Sequence, residues 1–244
     1  MRVPRIYTHQ TLGSELLVEL ESSASQHIAR AMRMQVGDSL TLFNGCGGEY
    51  GAIINSVGNK AVQARVGEHR AIESESPLAV HLAIALSRGE RMDWIVQKAT
   101  ELGVASITPL VTERVEVKLK GDRAEKKRLH WQRIAVSACE QCGRNQVPDV
   151  SPLQPLGQWL ANTEADCKLV LHHRATALST ATQKPTSLAL LVGPEGGLSV
   201  TEIAAAQASE FVALTLGPRV MRTETAPLAA LAILQARWGD MNPQ

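Results

Sequence analysis

Leu188-Ala189-Leu190-Leu191-Val192-Gly193-Pro194-Glu195-Gly196-Gly197 and Phe211-Val212-Ala213-Leu214-Thr215-Leu216-Gly217-Pro218-Arg219-Val220-Met221-Arg222-Thr223-Glu224-Thr225-Ala226 decide how this chain folds. In each, a short apolar run leads into a glycine-bearing loop, and an apolar helical pattern follows. Runs of this length suit strands buried on both faces, and repeated strand, loop and helix units predict a parallel sheet. Ligands of such sheets bind outside the carboxyl ends of the strands, so both loops are expected on one functional edge.

The first loop feeds a helix whose start is signalled by Ser199 and Glu202, a capping box, so unpaired backbone N–H groups are expected beside Gly196 and Gly197. Tight turning alone also accounts for glycines in such a loop. The second loop packs Arg219, Arg222, Thr223, Glu224 and Thr225 just ahead of a helix that opens near Pro227 and carries Leu228, Leu231, Leu234 and Trp238. Those charges either pair with one another or face a ligand.

Working outward, 244 residues suffice for one large domain or two small ones. Twenty-five Lys/Arg nearly cancel 24 Asp/Glu, but the distribution is uneven, with nine Lys/Arg against five Asp/Glu between Glu113 and Arg144. That basic stretch reads either as a polyanion contact or as a solvated helix face. No run approaches the ~20 apolar residues of a membrane helix, and Met1-Arg2-Val3-Pro4-Arg5 lacks the apolar core of a secretory signal, so a cytoplasmic location is expected. Cys46, Cys139, Cys142 and Cys167 agree with a reducing compartment. Cys139-Glu140-Gln141-Cys142 has no second ligand pair at suitable spacing, and Trp131, Ile134, Ala135, Ala138 and Cys142 share a helical period that puts the second cysteine near an apolar face. No metal is expected.

The chain divides near Glu73-Ser74-Glu75-Ser76-Pro77, a polar, proline-ended linker. Before it, Ser39 to Phe43, Tyr50 to Val57 and Ala61 to Val66 read as strands of a small β-rich domain. After it, the expected order is a strand at Leu78–Leu86, a helix at Met92–Leu102, a strand at Ser106–Leu110, a helix at Arg123–Cys142, a strand at Lys168–His172, and the two loop units.

The run from Leu191 to Ala229 resembles the RsmE family of ribosomal RNA methyltransferases, members of the SPOUT class. Arg2-Val3-Pro4-Arg5, His27-Ile28-Ala29-Arg30-Ala31-Met32-Arg33, Lys98-Ala99-Thr100-Glu101-Leu102-Gly103-Val104 and Glu140-Gln141-Cys142-Gly143-Arg144 resemble family signatures in the same order, so the likeness spans essentially the whole chain. Cys142, Leu198 and Met221 depart from the family pattern by mild changes of volume.

The resemblance implies an α/β enzyme: a PUA-like small β-barrel at residues 1–72 that grips RNA, and a SPOUT domain at 73–244 with a mostly parallel sheet and a deep trefoil knot. It implies S-adenosylmethionine as cofactor, a homodimer, and methylation of uridine N3 in the decoding region of 16S rRNA on the small ribosomal subunit, with neither DNA nor membrane as partner. For the reaction, Arg222 is the expected charge stabiliser and Glu224 the base or orienter, with Glu195 and Glu101 as competitors. The cofactor is expected against Leu191, Gly193, Pro194, Gly196, Gly197, Leu216, Gly217, Val220, Met221, Thr223, Thr225 and Ala226, with His172 and His173 at the rim. Phosphate contacts are expected from Arg5, Arg30, Arg33, Arg88, Arg91, Lys98, Arg114 and Arg144, with Arg30 and Arg33 on one helical face. Two alternatives remain open: a knotted methyltransferase acting on another RNA, and a non-catalytic RNA-binding assembly factor.

Overall fold

The computed structural model describes residues 3–58, 61–117, 119–172 and 184–241. The chain forms two compact units, one of Met1–Glu75 with Cys139–Val147, the other of Ser76–Ala138 with Pro148–Gln244. The chain passes from the first unit to the second between Glu75 and Ser76, and the segment Cys139–Val147, expected in the second domain, groups with the first unit.

In the first unit, strands β1 (Arg5–Tyr7) and β2 (Leu17–Glu19) precede a short helix α1 (Ser22–Gln26), which runs into a π-helical turn at His27–Ala31. Strands β3 (Ser39–Phe43), β4 (Glu49–Val57) and β5 (Val62–Arg70) complete a five-stranded sheet in the order β1-β3-β4-β5-β2. Alternate residues of β4 and β5 point inward, and Ile54, Val62, Ala64 and Val66 join Ile6, Leu20, Ile28, Leu40 and Leu42 in one core. Arg30 and Arg33 do not share a regular helical face. Arg30 lies in the π turn, and Arg33 lies beyond it with φ +54°.

The second unit is a parallel α/β sheet. Strand β6 (Ala79–Ala85), helix α2 (Arg91–Glu101) and strand β7 (Val104–Val111) form its first crossover; helix α3 (Asp122–Cys142), whose last turn belongs to the first unit, comes next. Then come β8 (Asp149–Val150), β9 (Gln154–Pro155), helix α4 (Leu156–Asn162), β10 (Cys167–Leu171), β11 (Ser187–Val192), helix α5 (Val200–Ala208), β12 (Val212–Leu214) and helix α6 (Thr225–Trp238). The sheet runs β12-β10-β11-β6-β7-β8, with β9 beside β7. Every pairing is parallel, and β11 is buried along Leu188–Val192, as its unbroken apolar run requires. The strand expected over Phe211–Leu216 is confined to Val212–Leu214, and the last helix opens at Thr225 rather than near Pro227. On α3 the buried residues are Trp131, Ala135, Ala138 and Cys139, while Ile134 and Cys142 are half-buried. A hydrogen bond with Cys142 and burial push the Cys139 thiol well above its ordinary pKa, which disfavours the thiolate.

Ser199 caps α5 as its sequence signals: its side chain accepts from the Glu202 N–H, and the Glu202 carboxylate accepts from the Ser199 N–H. Ser199→Ala is expected to lower stability by about 1 kcal/mol, read as a shift of the urea midpoint at constant slope.

Candidate functional site

From β6 the chain moves outward through β7 and β8, then returns to place β10, β11 and β12 on the other side of β6. The exits of β6 and β11 therefore diverge at a topological switch point, where α/β sheets open a crevice. The loops after β10, β11 and β12, with Arg114 from the loop after β7, enclose a cavity of about 280 Å³ there.

The first glycine loop is shaped by close backbone approach. Gly197 donates to Pro194 O at 2.8 Å and turns with φ +68°, a left-handed conformation that glycine adopts freely. A Cβ on Gly193 would sit 3.0 Å from both the N and the Cγ of Leu198, so the loop folds back as tightly as it does because position 193 has no side chain. Arg114 Nη1 donates to Gly196 O at 2.8 Å, and the N–H of Glu113 donates to Glu202 at 2.8 Å. The Glu202 carboxylate therefore ties the exit of β7 to the start of α5. On the other wall, the N–H of His172 donates to Leu214 O, and the Thr215 hydroxyl donates to His172 O.

Most of the expected cofactor residues meet here. Gly193, Pro194, Gly196, Gly197, Leu216, Gly217, Val220, Met221, Thr223, Ala226 and His172 line the cavity. Leu191 does not, being fully buried in the sheet among Val170, Ala189 and Phe211. Thr225 does not either; it is exposed at the first position of α6. His173 lies outside the described residues. Leu171, Val192, Leu198, Ile203 and Leu214 also line the cavity and were not foreseen, and Arg219 of the second loop lines it too. Leu171, Val192 and Leu214 end or follow directly on their strands, so strand-end position was the available signal. Ile203 and Leu198 come into reach only through the fold-back at Gly193.

Arg91 Nη1 donates to Glu195 Oε1 at 2.6 Å, while its Nε lies 3.6 Å from Glu224 Oε2, beyond hydrogen-bonding distance. Arg91 thus stands between two carboxylates and is not a free phosphate ligand. Arg222 is exposed and lines no described cavity; its carbonyl accepts the N–H groups of Thr225 and Ala226. Burial raises the Glu195 pKa, but hydrogen bonds from its own N–H, the Arg88 N–H and Arg91 outweigh that and leave it below the usual carboxylate range. Glu224 Oε2 is buried and accepts no hydrogen bond. Glu101 is occupied by Lys98, at 2.7 and 2.9 Å.

Of the other expected RNA ligands, Arg5 and Arg144 are structural. Arg5 pairs with Glu49, bonds Asn145 and stacks on Phe43; Arg144, 5% exposed, pairs with Glu75. Arg88 is exposed and pairs with Glu116. The basic stretch leaves Arg123, Lys126, Lys127 and Arg133 exposed on α3, while Arg128 pairs with Glu125. Among the described residues no cluster of His, Cys, Asp and Glu could hold a metal, and no helix is long and apolar enough to cross a membrane.

Residues 74–235 match the family model of an RNA methyltransferase domain, and residues 20–67 that of an RNA methyltransferase PUA domain. The chain is 35% identical over 243 residues to a ribosomal RNA small subunit methyltransferase E of Buchnera aphidicola, covering 99% of both chains, and 35% identical over 237 residues to that of Bacillus subtilis, covering 93% of both. Among solved structures it is similar to a Legionella pneumophila methyltransferase with bound S-adenosylmethionine (TM-score 0.94, 44% identity, 98% of this chain and 100% of that one). It is also similar to a ribosomal RNA small subunit methyltransferase E of Neisseria gonorrhoeae bound to S-adenosylmethionine (TM-score 0.92, 36% identity, 99% and 100%). With an RNA methyltransferase domain model matched over residues 74–235 and curated relatives 35% identical along almost their whole length, the chain belongs to the RsmE family of small-subunit ribosomal RNA methyltransferases.

Proposed function

We propose that the protein transfers the methyl group of S-adenosylmethionine to N3 of a uridine in the decoding region of 16S rRNA, on the assembled small subunit. The observation that carries this reading is Glu224 Oε2, which is buried, ion-paired with Arg91 Nε at 3.6 Å and accepts no hydrogen bond, beside Thr223 and Ala226 of the cavity wall. A buried carboxylate oxygen without a donor is costly, and an imide N–H would satisfy it.

The cavity suits the cofactor. Leu171, Val192, Leu198, Ile203, Leu214 and Met221 supply an apolar slot, and the two glycine loops offer backbone groups for orientation. The cofactor supplies an activated methyl on sulfonium, so the protein's task is alignment and proton management. Glu195, held ionised, lines the same cavity and is suited to face the sulfonium charge. The cofactor would supply the methyl carbon to N3 and leave as the neutral thioether, and Glu224 is placed to take the N3 proton. Arg91 stabilises charge developing on the adjacent uracil carbonyl.

Residues 1–72 as the RNA-gripping domain and 73–244 as the transferase domain belong to the same reading, with Arg88 and the exposed α3 cations as phosphate contacts. So do the trefoil knot, a homodimer and a cytoplasmic location. A second copy is supported by Val200 and Val220, 85% and 81% exposed at the cavity edge of the sheet.

With labelled S-adenosylmethionine and small subunits lacking the modification, N3-methyluridine is the expected product, with tRNA unmodified in parallel. Label in any other nucleoside would overturn the assignment.

A further inference from the structure

The chain has eight Phe, Tyr and Trp residues, and of these only Trp94 is exposed, at 52%. It projects from the first turn of α2 into a broad, open cavity of about 690 Å³, lined also by Arg88, Gly89, Glu90, Arg91 and Glu224. Lys98, one turn further along the helix, lies over the indole at 5.2 Å from the ring centroid, while Arg88, Gly89 and Glu90 line the cavity from the preceding loop, Arg91 from the start of α2 and Glu224 from the N-cap of α6. This cavity and the 280 Å³ one share a wall: Arg91 and Glu224 line the first, Glu195 lines the second, and Arg91 bonds Glu195.

The N3 of a paired uracil is on its Watson–Crick edge, so an enzyme acting there must receive the base unstacked, and such bases are held by stacking on aromatic side chains and by hydrogen bonds to that edge. We propose that the cavity beside Trp94 receives the target uracil, with Trp94 as the stacking platform and Arg91 and Glu224 reading a carbonyl and the N3–H. This rests on the uridine-N3 reading above and names the subsite that serves it. The pattern selects the base. Uracil presents an N–H at position 3 to the carboxylate, whereas cytosine presents a lone pair that Glu224 would repel.

Trp131, Trp159 and Trp238 are only 3%, 8% and 7% exposed, so ligand-dependent changes in emission report chiefly on Trp94. In the presence of S-adenosylhomocysteine, uridine 5′-monophosphate is expected to quench wild-type emission and cytidine 5′-monophosphate to quench it far less. Trp94→Ala is expected to lower kcat/KM on unmodified small subunits about tenfold or more, the scale of a lost base–aromatic stack. Cofactor affinity should stay unchanged, and Trp94→Phe should recover most of the rate. Wild-type rates in Trp94→Ala, or equal quenching by both nucleotides, would overturn the proposal. So would a Trp94→Ala variant that loses only its oligomeric state by light scattering, which would assign the indole to a contact between copies. Selective quenching with methyl transfer to a uridine of another RNA would sink the small-subunit assignment and support the pocket.

Discussion

Replacing Glu224 with Gln is expected to lower kcat about 10²- to 10⁴-fold, the usual loss when a positioned proton acceptor is removed. The substitution keeps the shape of the side chain and removes its charge. Glu224 occupies the N-cap of α6 but makes no capping hydrogen bond with its side chain, so the helix start does not depend on the carboxylate. The fold and the cofactor cavity should therefore persist, and the dissociation constant for S-adenosylmethionine should be unchanged. Glu195→Gln provides the contrast. Its carboxylate sits below the usual range and is engaged by Arg91 and the Arg88 N–H, which makes it a poor proton acceptor. Losing that charge should loosen Arg91 and weaken cofactor binding more than it slows transfer. Single-turnover rates with saturating cofactor separate the two effects. A larger fall in the single-turnover rate for Glu195→Gln than for Glu224→Gln would reverse the roles.

The site was legible where local rules governed it and illegible where distant partners did. The capping box of Ser199 and Glu202, the buried run of β11 and the apolar face of α6 follow from spacing within a few residues, and each formed. Both glycine loops meet at one cavity because parallel strands deliver their exits to the same edge. Arg5, Arg91 and Arg144 share one feature that spacing could not show. A sequence displays a cation but not its partner, and Arg5 finds Asn145 across 140 positions while Arg91 finds Glu195 across 104. Glu224 was singled out by its chemistry, whereas the burial of its Oε2 without a hydrogen-bond donor is a property of packing alone. Helix α4 was missed because its seven residues are too few to show a helical period.

Arg144→Ala is expected to destabilise the protein by about 3–5 kcal/mol, as truncating one partner of a buried ion pair does. The Arg144 side chain is 6% exposed and that of Glu75 is 18%, with Nε and Nη2 both bonded to Glu75 Oε2 at 2.9 and 2.6 Å. The other Glu75 oxygen accepts the N–H of Gln146, and Asn145 donates to Ile72 O at 2.6 Å. Arg5 closes the arrangement by donating to Arg144 O and Asn145. Truncation would leave the Glu75 carboxylate half of this network with too few donors and detach Cys139–Val147 from the unit it completes. Urea titrations of Arg144→Ala, Glu75→Ala and the double variant test this, because a coupled pair makes the double variant less destabilised than the sum of the singles. A phosphate ligand behaves differently: its removal leaves stability alone and reduces the salt dependence of RNA binding by about one unit of slope. Unchanged urea midpoints with a reduced salt slope would return Arg144 to the RNA-binding surface. A lowered midpoint with an unchanged slope would show that Arg144, two residues beyond α3, is there to hold its own unit together.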